Sequence, residues 1–252
     1  MRRAGVGGRG SGFRGQGSGA GVQGSGLRGQ GLGHRPRKVD FHVHTSHSYD
    51  GFITMQQLER FFKKNPDFVI AITDHDEIKG ALKAKKKFGG RIIVGEEIKT
   101  SQGEIIGLYL KRFIKPGMTI EQTIEEIKTQ EGLVMVPHPY KRTGNPDSHV
   151  SESALNKNIN HFDIIEIFNA RNRTCKANEK AMHLAEKFNK PKAVGSDAHA
   201  FYELGRSYVS LFSYNGKNTL LRELASCDYV CRPLGFIHRV LTRMQREFKK
   251  IK

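Results

Sequence analysis

From Lys38 onward, short apolar runs of strand character alternate with longer stretches at helical spacing, and this alternation confines the chain to α/β architectures. Strands are expected at residues 39–42, 68–73, 91–97, 105–110, 133–137, 162–168, 193–195 and 207–212. Helices are expected at 54–64, 78–88, 119–130, 174–188, 217–226 and 236–251. A chain of 252 residues is long enough for a single α/β barrel, which typically takes about 250 residues. In the last helix, Phe236, Ile237, Val240, Leu241, Met244, Phe248 and Ile251 share one face, with Arg and Lys opposite. One apolar stripe on a surface helix is expected to dock against the barrel in preference to a membrane.

The segment before Lys38 is of another kind. Half of the 28 glycines fall in residues 1–38, where GSGFRGQGSG recurs fourteen positions later as GSGLRGQGLG. Such a composition cannot bury enough apolar surface to offset chain entropy, so a disordered tail is expected over 1–37. It reads either as an Arg/Gly-rich RNA-binding tail or as a non-functional extension. The organisation expected is thus this tail, a catalytic domain over 38–230, and a basic amphipathic helix over 231–252. The formal net charge of +17 is partly the tail's, since residues 1–38 carry eight basic side chains and no acid. The rest remains basic, which favours anionic ligands and weak contact with nucleic acid.

Three cysteines, Cys175, Cys227 and Cys231, lack the paired spacing of a zinc ribbon or a disulfide framework, so a reducing compartment is expected. With no apolar run of eighteen residues and no secretory stretch, cytoplasmic residence is the expectation.

Chemistry concentrates at the ends of the expected strands. His42 and His44 close the first as His-x-His, whose period-two spacing turns both imidazoles the same way. Asp74 and His75 follow the second, Glu96 and Glu97 the third, His138 the fifth, and Asp197 with His199 the strand at 193–195. In a parallel barrel these ends meet on one rim, where active sites are built. Buried carboxylates are costly unless paired or bound to metal, so a metal cluster explains the pattern better than packing. Imidazoles mixed with carboxylates suit Zn, Mn or Fe over a Mg- or Ca-only cage.

The segments DFHVHTSHSYDG, AITDHDEIKG, VGEEI, IIGLYL, VPHPY, IEIFNAR and GSDAH, in this order, resemble the PHP (polymerase and histidinol phosphatase) superfamily of metal-dependent phosphoesterases. The resemblance implies a distorted (β/α)7 TIM-like barrel and two or three divalent metals. It implies that His42, His44 and Asp197 hold a first metal, that Asp50, His75 and His199 hold another, and that His138 holds the remaining one. Glu97 falls at the bridging carboxylate and Glu96 at a variable position. Glu104 stands where many relatives carry a histidine ligand. His47 is a weaker candidate ligand, and Asp74 is expected either to orient the His75 ring or to cap the following helix.

Closely spaced metals imply a water activated beside Asp197, His199 and Glu97, attacking a phosphate monoester or diester of a small metabolite or a nucleotide. Arg171, Arg142 and Arg206, together with Lys141, are expected near the same rim as grips for the phosphate. Two other readings stay open: an amidohydrolase-like metal hydrolase, since those barrels also begin with His-x-His, and a metal-stabilised RNA-binding domain.

Overall fold

The computed structural model describes residues 36–141 and 149–250. Residues 1–35 of the tail expected over 1–37, and Arg142, lie outside them, while Arg37 opens the first strand. The strands are β1 (Arg37–Val43), β2 (Phe68–Ile72), β3 (Ile92–Thr100), β4 (Gly103–Leu108), β5 (Leu133–Val136), β6 (Ile164–Asn169), β7 (Lys192–Gly195), β8 (Tyr208–Leu211) and β9 (Asp228–Val230). The helices are α1 (Met55–Lys64), α2 (Lys79–Phe88), α3 (Ile120–Thr129), α4 (Glu152–Asn158), α5 (Cys175–Lys187), α6 (Lys217–Leu224) and α7 (Phe236–Lys250). Thr54 and Thr119 start α1 and α3 as capping boxes, each with the Gln three residues on, which satisfies free N–H groups at both helix starts.

One sheet runs in the order β7-β6-β5-β4-β3-β2-β1-β8-β9 and curls until its first strand meets β1. Closure is made just beyond β7, where Val43 and Ala198 form a parallel bridge and His44 N–H donates to Ala198 O at 2.8 Å. Because β8 pairs with β1 only at Arg37–Val39, the upper half of β1 is left for this closure. The result is the distorted seven-stranded barrel expected, with β8 and β9 as an added antiparallel flap. Apolar side chains of β1 to β7, with Phe41, Ile70 and Ile106 fully buried, fill the core and pack it against the helices.

Three expectations are corrected. The strands are not all parallel: β4 is antiparallel to both β3 and β5. Its pairing with β3 closes at Thr100 and Gly103, and so short a connection can only reverse the chain. Secondly, a helix over α4 and a strand over β9 are present where none was expected. Thirdly, α7 docks by its polar side. Thr242 Oγ1 donates to Glu203 at 2.7 Å, and Arg239 reaches Asn172 O. The apolar stripe faces away: Phe236 and Ile237 are 77% and 70% exposed, and Val240, Leu241 and Met244 are exposed as well. A buried, hydrogen-bonded Thr242 anchors the helix more specifically than a slide of aliphatic side chains, and that choice sets which face looks outward.

Candidate metal centre

The upper ends of β1, β2, β3, β5 and β7 bring their ionisable side chains to one mouth, and the Glu97 carboxylate lies at its middle. His42 Nε2, His44 Nε2 and His75 Nδ1 stand 3.2, 3.4 and 3.2 Å from its Oε2, and His138 Nε2 stands 3.0 Å from its Oε1. Asp197 Oδ1 lies 3.4 Å from His44 Nε2. On the outer side, His199 Nε2 is 3.0 Å from Asp50 Oδ2, and His75 Nε2 is 3.8 Å from Asp50 Oδ1. Glu104 enters from the start of β4, within 3.9 Å of His75 and 3.8 Å of His138. The reversal of β4 explains this: a residue at the start of an antiparallel strand reaches the rim that parallel neighbours reach with their ends.

These side chains form overlapping sets suited to a cation: His44, Asp50, His75 and His199; His42, His44 and Asp197; His42, Glu97 and His138; and His75, Glu97 and Glu104. The sharpest test of fit is His44. Both of its ring nitrogens are buried without a hydrogen-bond partner, although Nε2 faces two carboxylates. An imidazole left so, among acids, meets its needs as a ligand. All the nitrogen and oxygen donors match the preferences of Zn, Mn or Fe.

Electrostatics agree. Burial, followed by repulsion from His199 and His75, pushes His44 well below the usual histidine range, toward the neutral form that ligates. Burial likewise opposes the charge on Asp197, but Lys141 and then His42 outweigh it and hold that carboxyl well below its usual range. Burial and then the charge of Glu97 push Glu104 up to about 9, against the opposing pull of Lys141.

A supporting shell fixes the rings. Glu166, buried on β6, takes His138 N–H at 2.6 Å on Oε2 and meets His42 Nδ1 at 3.1 Å on Oε1, which turns His42 Nε2 toward Glu97. Asp40 accepts from Ser196 N–H and Oγ–H, tying β1 to the loop of Asp197. Glu203 accepts from His199 N–H, Ala200 N–H, Arg171 and Thr242. His138 (φ 26°) and Asp197 (φ 50°) have left-handed backbones, a conformation that costs energy for a residue with a side chain and is held here by these contacts. Gly195 is required by the same crowding, since a Cβ there would lie 2.1 Å from Glu166 Oε1.

The expected residues separate clearly. His42, His44, Asp50, His75, Glu97, Glu104, His138, Asp197 and His199 all meet at this mouth. Glu96 turns the other way and accepts from Ile114 N–H. His47 lies outside the four sets, with Nδ1 3.3 Å from Thr45 Oγ1. Asp74 neither orients His75 nor caps α2. It accepts from the Thr45 N–H and hydroxyl, since the His44 loop brings those donors closer than any helical N–H. Arg171 donates from Nη2 to both oxygens of Glu203, at 3.0 and 2.7 Å, and from Nε to Asp197 O, so these contacts tie it to the loop of Asp197. Arg206 is half-buried before β8, with Nε buried and unpartnered. Lys141 is the basic residue that reaches the cluster, donating to Asp197 Oδ2 at 2.8 Å. Glu166 and Glu203 were not among the expected residues. The signal for Glu166 was one carboxylate inside the otherwise uncharged strand IIEIFN.

A barrel with such a mouth defines a class, the metal-dependent hydrolases whose ligands come from strand ends. A model of the family described as PHP-associated matches residues 176–226. The chain is 34% identical over 182 residues to the uncharacterized protein MJ0417 of Methanocaldococcus jannaschii, covering 71% of this chain and 72% of that one. It is 37% identical over 161 residues to MJ1587 of the same organism, covering 58% and 90%. Among solved structures it resembles a two-domain Bacteroides vulgatus protein containing a predicted PHP-like metal-dependent phosphoesterase, with TM-score 0.62, 17% identity, and 88% and 75% of the two chains covered. It also resembles PsfC of Pseudomonas syringae, with TM-score 0.59, 15% identity and coverage of 85% and 99%. A third is Endonuclease Q in complex with a 27-mer duplex bearing an abasic lesion, with TM-score 0.52, 14% identity and coverage of 75% and 55%. This chain belongs to the PHP superfamily. Among the described residues, no helix is long and apolar enough to cross a membrane.

Proposed function

We propose that this chain hydrolyses phosphate esters of nucleotides or of small metabolites, using divalent metals held by the nine residues of the mouth. The observation that carries the reading is the Glu97 carboxylate facing four imidazoles, with Asp197 on the same side. Divalent cations bound there supply a water acidified to near neutrality and charge that neutralises the phosphoryl oxygens.

The chain's own groups do the rest. His42, His44 and Asp197 form one seat, and His44 with Asp50, His75 and His199 forms its neighbour. Glu97, reached by residues of both seats and by His138, serves as the bridge. Asp197 would orient the attacking water through its carboxylate, while His199, whose Nδ1–H donates to Asp197 O at 2.8 Å, would keep Nε2 turned toward its seat. Lys141, with its side chain 19% exposed beside Asp197, suits the role of holding a phosphoryl oxygen, where Arg171 instead fixes the Asp197 backbone.

The net charge of +17 favours an anionic substrate, and the likeness to Endonuclease Q, which holds a DNA duplex, favours a phosphodiester or nucleotide ester. An ester is favoured over an amide by the chain's own residues, because the bridging position is Glu97 and the nearby Lys141 is paired with Asp197. Purified protein is expected to hydrolyse p-nitrophenyl phosphate or bis-p-nitrophenyl phosphate with added Mn or Zn, and to stop when chelated. No turnover of either ester, or of nucleotides, under any of these metals would contradict the proposal.

A further inference from the structure

At the end of the barrel opposite the metal centre lies a second cavity, of about 510 Å³. Its lining comes from the lower strand ends: Arg37 opens β1, Arg91 precedes β3, and Tyr109 and Tyr214 follow the antiparallel β4 and β8. Lys85 and Phe88 of α2 complete it.

Three cations share this space without a carboxylate among the described residues to neutralise them. Arg37 Nη1 donates to Pro66 O at 3.3 Å, Lys85 Nζ to Ile92 O at 2.9 Å, and Arg91 Nη1 to Phe62 O at 3.2 Å. Each bond uses one donor of a group that has three or five, so N–H groups remain for a ligand. Neutral carbonyls hold the side chains in place but leave their mutual repulsion intact, and an anion would relieve it.

The aromatic side is equally specific. The Tyr109 and Tyr214 hydroxyls meet at 3.1 Å, and this single bond uses only one of their two protons. Tyr109 holds that position from a left-handed backbone, φ 60°, a conformation a tyrosine rarely adopts. Phe88 lines the same cavity, so three aromatic side chains border the space that the cations share. There is room as well: a Cβ built at Gly90 or at Gly216 would meet nothing within 4 Å.

We infer that this cavity binds a nucleoside phosphate, with the phosphate on Arg37, Lys85 and Arg91 and the base against Tyr109, Tyr214 and Phe88. A cavity of this volume is of ligand size, and cations beside aromatic rings suit a phosphorylated heterocycle better than a bare anion or a neutral ring. The same chemistry fits a free nucleotide or the terminal nucleotide of a strand. The site owes nothing to the metals at the other end.

The test uses the full, metal-loaded chain. Calorimetric titration with ADP, adenosine, inorganic phosphate and a 5′-phosphorylated tetranucleotide is compared between the parent, a Lys85→Gln/Arg91→Gln variant and a His42→Ala variant. ADP or the tetranucleotide is expected to bind the parent at least tenfold more tightly than adenosine or phosphate, and whichever is tighter identifies the source. The metal mouth takes such ligands too, so two binding events are expected in the parent: the double variant should weaken one of them at least tenfold, and His42→Ala should leave that same event within twofold. If the double variant misfolds, photolabelling of the parent with 8-azido-ADP should still mark the peptide containing Tyr214 or Phe88. Undiminished binding in the folded double variant, loss of binding in His42→Ala alone, labelling confined to the metal mouth, or no binding of either nucleotide ligand would overturn the inference.

Discussion

Glu166 is bound through one carboxylate oxygen to the backbone of His138, and its other oxygen lies 3.1 Å from Nδ1 of His42. A single buried side chain thus holds the ring of His42 and the backbone of His138, on different strands. Outer partners of this kind typically contribute about 10–100-fold to metal affinity or activity. Glu166→Gln is therefore expected to lower both by about 10–100-fold while the protein stays folded. Metal analysis of the dialysed variant beside its kcat checks this, and full metal content with full activity would contradict it.

Gly195 faces the same carboxylate. A Cβ would stand 2.1 Å from Glu166 Oε1 and 2.5 Å from His42 Cβ, and neither neighbour can withdraw without moving a ligand. Gly195→Ala should cost about 1–3 kcal/mol, the usual penalty for overpacking. Denaturant titration reads the stability, and an unchanged midpoint would show that the two strands have more freedom than this packing allows.

Arg171 supports the Asp197 backbone and pairs with Glu203, so it acts on the site by positioning. Arg171→Lys should lower kcat and metal occupancy with little change in KM. Lys141→Gln should instead raise KM about tenfold or more with metal retained, because a charged hydrogen bond of about 1.5–3 kcal/mol to the phosphate is lost. Steady-state kinetics with metal analysis separates the two, and the opposite split would exchange their roles.

Seven of the nine residues of the mouth were legible in the sequence because they close strands, as HVH, TDH, VGEE, VPH and SDAH all end apolar runs that a barrel carries to one rim; Asp50, in a turn, and Glu104, at the start of β4, were expected there only from the family resemblance. What supports them was not legible. Glu166 sits inside an apolar strand, and only the fold reveals that its carboxylate turns inward to two histidines. Arg171 reads as a phosphate grip until Glu203, 32 residues later, is found in its fork. Periodicity showed the apolar stripe of α7 but not its facing, because Thr242 and its distant partner Glu203 decide that.

Removing metal should destabilise the protein as well as silence it. Buried carboxylates and imidazoles lose the cations that balance them, and any ligand binding only the folded state adds about 4 kcal/mol when present at a thousand times its Kd. Melting with and without chelator, followed by restoration with Mn or Zn, should show a lower midpoint that recovers. An identical midpoint in all three samples would mean that the mouth holds no ion tightly.

The most direct measurement is anomalous X-ray scattering from crystals grown with Mn or Zn. Two or three peaks are predicted within the ring of His42, His44, His75, Glu97, His138, Asp197 and His199, at least one of them touching Glu97. Peaks only elsewhere on the surface, or none in this ring at saturating metal, would contradict the account.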